Sequence, residues 1–418
     1  MHRPPFCPNT SCPCHIDPLS TESAALAERR WFKRNGNYPT KVRGEVRRFK
    51  CLVCGRGFGE QTFSLDYFVK RLISYRRLRG LLSSCVGVRA ASRNLGCSCD
   101  SVSNRTSRLA RQSISAHARL LPAIELSEDQ AADGFQSFGV SQYFPNNITM
   151  LVGSRSQLVS FCDYVTLRRS GRMTARQRRM RAALDELYRP SPQALTSSFG
   201  ELLEHLYRRF RTSTHRPLSL HTDCKSEYLN ALAAHQGLCE AAGSLQFLHR
   251  RTDSKAVRNR LNPLFPVNYI DRQLRTDLAE HVRETVRFAR NVNHCMERLW
   301  VYLLEHNLHK RFRINDPVEI ERRHAKEAGA TEADKRRATA GLYTRRRFLC
   351  FEPLEPAMLR VWKREHSTPL KGIVKGALRM IGRQAARGQV DLEQIRQQLG
   401  AEKLVREVVQ YLPRYALA

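Results

Sequence analysis

Ala132-Asp133-Gly134-Phe135-Gln136-Ser137-Phe138 sets a carboxylate into an alternating apolar run, the pattern of a half-buried strand. Working outward, the same period continues over 148–153 and 158–167, with Pro145-Asn146-Asn147 as a turn. Leu218-Ser219-Leu220-His221-Thr222-Asp223 is a further strand that ends on an acid, preceded by a helix over 197–211 and followed by one over 226–235. Leu245 to His249 reads as a last strand, and a long helix over 277–308 carries Arg290-Asn291-Val292-Asn293-His294-Cys295-Met296-Glu297.

Three strands, helix, strand, helix, strand, helix is the order of a ribonuclease-H-like α/β fold. That fold gathers acids from its first strand, its fourth strand and a late helix at one sheet edge, and Asp133, Asp223 and Glu297 fall on those elements. Such acids suit Mg²⁺ or Mn²⁺, because hard cations prefer carboxylate oxygen, and two ions ~4 Å apart activate an attacking hydroxyl and stabilise a leaving oxygen. Asn293 shares a helix face with Glu297; Glu284 and Glu305 are the alternatives for the third position. His221 reads either as a base beside the acids or as a packing residue.

Upstream, Cys7-Pro8-Asn9-Thr10-Ser11-Cys12-Pro13-Cys14-His15 and Cys51-Leu52-Val53-Cys54-Gly55 flank a β-hairpin with its turn at Asn35-Gly36. Two cysteine pairs bridged by a hairpin predict a zinc ribbon held by Cys7, Cys12, Cys51 and Cys54, with Cys14 or His15 as the alternative to Cys12. Next, Val88 to Leu95, a Gly96-Cys97-Ser98 turn and Asp100 to Gln112 predict a helix-turn-helix. Ser103, Asn104, Arg105, Arg108 and Arg111 on its second helix are the candidate DNA contacts. Arg168, Arg169 and Arg172 open a strongly basic insertion suited to phosphate.

Composition agrees with a nucleic-acid partner. The 418 residues carry a formal net charge of +32 distributed along the whole chain, as expected of a protein that displaces counterions from phosphates. No apolar run approaches the ~20 residues of a membrane span. The N-terminus lacks a signal-peptide core, so the chain reads as cytoplasmic. Thirteen cysteines, an odd number, argue against a disulfide framework. An RNA partner is disfavoured, because A-form major grooves do not admit a helix.

These motifs, with Arg48-Phe49-Lys50-Cys51, Asp133-Gly134-Phe135, Arg169-Ser170-Gly171-Arg172-Met173-Thr174, Leu220-His221-Thr222-Asp223 and Arg283-Glu284-Thr285-Val286, resemble bacterial insertion-sequence transposases of the zinc-ribbon plus DDE type. The resemblance spans about residues 5–315. It implies binding of terminal inverted repeats on double-stranded DNA, metal-dependent strand cleavage, strand transfer to target DNA, and a homo-oligomer at the nucleoid. The expected organisation is a zinc ribbon over 1–63, a helix-turn-helix domain over 64–122 and a catalytic domain over 123–315 with the basic insertion near 168–195. A basic helical region over 316–418 follows, with Lys371, Lys375, Arg379, Arg383 and Arg387 on one helix face and an amphipathic pattern from Leu392 to Leu412. The competing reading is a DNA-binding regulator that keeps the front end without catalysis.

Overall fold

The computed structural model describes residues 3–253, 255–282, 287–317, 320–371, 373 and 375–399. Among them the chain is a mixed α/β protein of fifteen helices and two sheets. Helix α1 (Glu22–Glu28) precedes an antiparallel sheet of β1 (Phe32–Thr40), β2 (Gly44–Cys51) and β3 (Gly57–Gly59). Asn35-Gly36 does not make the hairpin turn. It lies inside β1, where the register slips between Arg34 and Asn37 and Gly36 takes φ +76°, a bulge that glycine accommodates; the reversal falls over 41–43, just before Gly44 at φ +63°.

Helices α2 (Tyr75–Leu82), α3 (Val88–Leu95) and α4 (Cys99–Leu120) follow. Gly96 at φ +59° ends α3, and the Ser98 hydroxyl caps α4 by accepting the Ser101 N–H at 3.1 Å. The expected helix pair is therefore present, but α4 runs on to Leu120. Leu109, Ala110, Ile114 and Ala118 bury it in the main core, so it is a central strut as well as the second helix of the pair.

The second sheet comprises β4 (Gln130–Phe138), β5 (Pro145–Gly153) and β6 (Val159–Thr166), then β7 (Leu218–Thr222) and β8 (Phe247–Arg251), in the order β6-β5-β4-β7-β8. The first three pair antiparallel; β7 and β8 run parallel to β4. Pro145-Asn146-Asn147 begins β5 instead of turning, because both asparagine side chains are buried and Asn146 Oδ1 accepts the Ser137 N–H at 3.0 Å. The reversal falls over 139–144.

Between β6 and β7 lie α5 (Ala175–Leu187) and α6 (Ala194–Phe210); α7 (Ser226–Ala233) and α8 (Gln236–Gly243) connect β7 to β8; α9 (Phe265–Asp277) and α10 (Val292–Leu308) follow. Alternate strand residues divide the core, as a pleated sheet requires. Ala132, Leu151 and Leu220 meet α6, α7 and α8, whereas Ala131, Phe135, Ile148 and Met150 meet α4, α9 and α10. The edge of β6 is closed by Asn307, whose amide accepts from the Val159 N–H at 3.1 Å and donates to its carbonyl at 2.9 Å.

The single helix expected over 277–308 is two helices. α9 stops at Asp277, Leu278 and Ala279 are buried in the connection, and α10 restarts at Val292 under an Asn291 cap. Arg283-Glu284-Thr285-Val286 lies outside the described residues. The C-terminal region adds α11 (His324–Glu327), α12 (Glu332–Thr339), α13 (Pro356–Lys363), α14 (Lys375–Arg387) and α15 (Leu392–Gln398). It is woven into the rest of the chain: Trp362 of α13 is in the main core, and Phe348 and Phe351 pack on Phe6, each at 5.0 Å between ring centroids. The basic insertion is helical as well, since Thr174 and Gln177 form a capping box for α5, and Ala183 of α5 packs with Ala377, Ile381 and Ile395. Leu404, Val408 and Leu412 lie outside the described residues. Among the described residues no helix is long and apolar enough to cross a membrane.

Candidate metal centres and the paired aspartates

The cysteine cluster assembles from two tight turns. Gly55 at φ +71° closes one, donating its N–H to the Cys51 carbonyl at 3.1 Å; on the other side the Cys7 and Cys12 backbone N–H groups are held by Cys14 and Asn9 carbonyls. The four sulfurs of Cys7, Cys12, Cys51 and Cys54 lie within 4.8 Å of one another. Cys7 and Cys54 are 3.5 Å apart and Cys12 and Cys51 are 3.8 Å apart. Sulfurs sharing one tetrahedral zinc, at bonds of about 2.3 Å, sit roughly 3.7 Å from each other, so the donor set is compatible with a structural zinc.

Burial pushes the Cys12 thiol up to about 12, whereas the Cys54 thiol is drawn down to about 6: burial opposes this, but the Arg56 backbone, Asn9 and the neighbouring thiols outweigh it. Cys14 and His15 stand outside the set. The Cys14 N–H points at Cys12 Sγ, and His15 bonds the Cys7 carbonyl at 2.6 Å and Cys350 Sγ at 2.7 Å.

Asp133 and Asp223 meet across neighbouring parallel strands. Gln130 pairs with Leu220 and Ala131 with His221, and the same offset sets Asp133 level with Asp223 just past the end of β7. Between them lies the Lys225 ammonium, 2.7 Å from Asp133 Oδ1 and 2.8 Å from Asp223 Oδ2. Asp133 Oδ1 also accepts from the Tyr228 hydroxyl at 3.1 Å and the Gly134 N–H at 2.7 Å. Tyr228 is fully buried and stacks on Phe199 at 4.0 Å, which fixes its hydroxyl against Asp133. Gly134 is required by its neighbour, because a Cβ there would collide with the Asn147 side chain. Burial alone would lower the Lys225 pKa, but the Asp133 and Asp223 carboxylates raise it, so the bridge is charged. His221 has no part in this bridge; burial lowers its pKa.

A further buried acid feels the charges of Asp133 and Lys225. Asp271 of α9 has its Oδ1 sealed from solvent without a hydrogen-bond partner. Its pKa is pushed up to about 8, by burial first and the Asp133 charge second, against Arg275, Lys225 and Arg258. The sequence holds a signal for it: Asp271 is four residues after Val267 and three before Leu274, an acid inside a buried helical stripe. Lys225, two residues beyond Asp223, carries no such periodic mark.

Glu297 is elsewhere, which corrects its expected place beside the two aspartates. It is 1% exposed, with its carboxylate 3.3 Å from Arg364 Nε and 2.9 Å from His294 Nδ1. Burial opposes its ionisation, but the His294 hydrogen bond, Arg364 and Arg111 hold its pKa low. Asn293 is structural: its amide donates to the His366 carbonyl and accepts the His366 N–H, both at 3.0 Å. Glu305 pairs with Arg79 at 2.8 Å. Among the described residues, the groups of three or more ligand atoms within 4.8 Å are the four cysteines and Glu280, His281 and Cys295; the three aspartates do not form such a group. In the second group Glu280 is already paired with Arg298.

The arginines expected on the DNA face of α4 also turn inward. Arg105, Arg108 and Arg111 are buried; Arg108 donates to the Leu65 carbonyl at 2.7 Å, and Arg111 donates to the Trp362 carbonyl at 3.1 and 2.9 Å. Ser103 and Asn104 are half-buried, with Asn104 Oδ1 accepting from Arg105 at 2.7 Å. The exposed cations of the helix pair are Arg89 and Arg93 on α3. In the insertion, Arg168 pairs with Asp185 at 2.6 Å, Arg169 donates to Gln142 at 2.6 Å, and Arg172 is exposed. Comparison with known proteins finds no family model and no curated protein that matches this chain.

Proposed function

We propose that this protein is a DNA transposase that binds the terminal inverted repeats of its element, cuts a DNA strand with water and joins the freed 3′-hydroxyl to target DNA. The observation that carries the reading is the sharing of one cation by Asp133 and Asp223, level on adjacent parallel strands. Three antiparallel strands continued by two parallel ones also support a ribonuclease-H-like core. We assign the third acid to Asp271, in place of Glu297. When bound, a divalent ion supplies Lewis acidity to the attacking and leaving oxygens. Asp133 and Asp223 would hold it with hard oxygen donors, Tyr228 would keep Asp133 in position, and the Lys225 ammonium would give way to it. The cysteine cluster, closed by a structural zinc, would form the ribbon of the DNA-binding front end.

One observation favours the regulator reading: the Lys225 ammonium is itself the cation partner of both aspartates. Strand cleavage separates the two. DNA carrying the sequences that flank the coding region is incubated with the zinc-loaded protein and Mg²⁺ or Mn²⁺. Metal-dependent cutting that Asp133→Asn and Asp223→Asn abolish supports the transposase; binding of those ends with no cutting in either metal gives the regulator.

A further inference from the structure

An open groove of about 1320 Å³ lies between α9, the 154–157 turn, the segment 258–260 and the segment 310–316. Arg155, Arg258, Arg260, Arg272, Arg311 and Arg313 line it and are exposed. Among the described residues none of the six takes part in a salt bridge. Lys310 is the lining cation with an acid partner, held at 2.6 Å by Asp277.

Charge alone would describe many surfaces of so basic a chain. This groove also carries half-buried aromatic rings, Phe265, Tyr269 and Phe312, recessed between the guanidiniums. Phe265 and Tyr269 lie with centroids 6.2 Å apart and planes at 29°, Arg272 sits 5.7 Å over Tyr269, and Arg313 sits 5.9 Å over Phe312. Ile314, 89% exposed, is a further apolar surface on the lining. Rings set among cations are of little use to a duplex, whose bases stack on one another and present phosphates outward. They suit a strand whose bases are unstacked, with phosphates on the arginines and bases on the aromatic faces.

The groove is also tied to the acids. Its Tyr269 and Arg272 share α9 with Asp271, which lies on another face of that helix. We propose that this groove binds a single-stranded DNA segment, the unpaired flank of the strand presented to Asp133, Asp223 and Asp271. The proposal rests on the transposase reading and goes beyond it by naming where the strand runs and in what form.

The test is equilibrium binding of a fluorescent single-stranded oligonucleotide of about 15 nucleotides, by anisotropy in EDTA with the zinc-loaded full chain, across a salt series. Arg260→Ala/Arg313→Ala should weaken binding at least about tenfold and reduce the slope of log affinity against log salt by about 1.4, that is, about 0.7 for each single-strand phosphate that the variant no longer neutralises. Tyr269→Leu should weaken binding about fivefold or more and leave the salt slope unchanged, because stacking contributes about 1–3 kcal/mol per base. Thermal melts establish that each variant is folded. Unchanged binding by both folded variants overturns the proposal. So does an equal loss for duplex of the same sequence, which would make the groove a duplex site, or a preference for RNA over DNA. No divalent metal is present, so the result is independent of cleavage; loss of cutting with groove binding intact counts against the acids alone.

Discussion

At the scale of single residues, chemistry and packing compete for the same types of side chain, and local environment decides between them. Asp133 and Glu297 are both carboxylates on apolar elements, yet Asp133 shares the Lys225 ammonium with Asp223, while Glu297 is enclosed by Arg364, His294 and Arg111. The cysteines divide in the same way. Cys51→Ser should lose close to one equivalent of bound zinc, whereas Cys14→Ser, whose sulfur lies outside the set, should retain it; zinc content of the purified proteins measures this. Residue types and spacing made the four-cysteine cluster legible, with Cys14 and His15 left as alternatives. Nothing in the spacing could exclude His15, because its partner, Cys350, is more than three hundred positions away.

At the scale of elements, periodicity carried most of the strands and missed their ends. The alternation around Asp133 and the run ending at Asp223 mark β4 and β7 correctly, because one-residue alternation is a direct consequence of pleating. Pro145-Asn146-Asn147 has turn composition, yet both side-chain amides are buried, Asn146 by bonding across to Ser137 of β4 and Asn147 by donating to Thr149 of its own strand. In α4 the turn and helix were legible, but the arginine spacing that suggested a DNA face is also that of a helix donating to buried carbonyls. Arg111→Ala should therefore destabilise the fold by about 3 kcal/mol, since it strips the Trp362 carbonyl of its donor and leaves buried Glu297 short of a counter-charge. Arg93→Ala, on the exposed face of α3, should leave stability within about 0.5 kcal/mol. Urea midpoints of the two variants test the contrast.

At the scale of the whole molecule, long-range closure is what the sequence conceals. The C-terminal region returns to cover earlier elements: Arg360 bridges Asp163 of β6 and Glu201 of α6, each at 2.7 Å, and Arg119 pairs with Glu352 at 3.0 Å. The closed core also encloses neutral histidines. Burial pushes His117, His281 and His324 each down to about 4 from an ordinary 6.5. Their unfolded forms take up protons first, so their contribution to stability is full above pH 6.5 and is lost as pH falls from there towards about 4. The urea midpoint should decline across that window; a flat midpoint would place these rings in contact with water.

The most direct test of the central claim is Mn²⁺ binding to the zinc-loaded protein, followed by the electron paramagnetic resonance signal of free Mn²⁺. Wild type should bind the ion, Asp133→Asn, Asp223→Asn and Asp271→Asn should each weaken that binding at least about tenfold, and Glu297→Gln should leave it intact. Wild-type binding no tighter than that of the aspartate variants would contradict the claim and leave Asp133, Lys225 and Asp223 as a structural ion bridge.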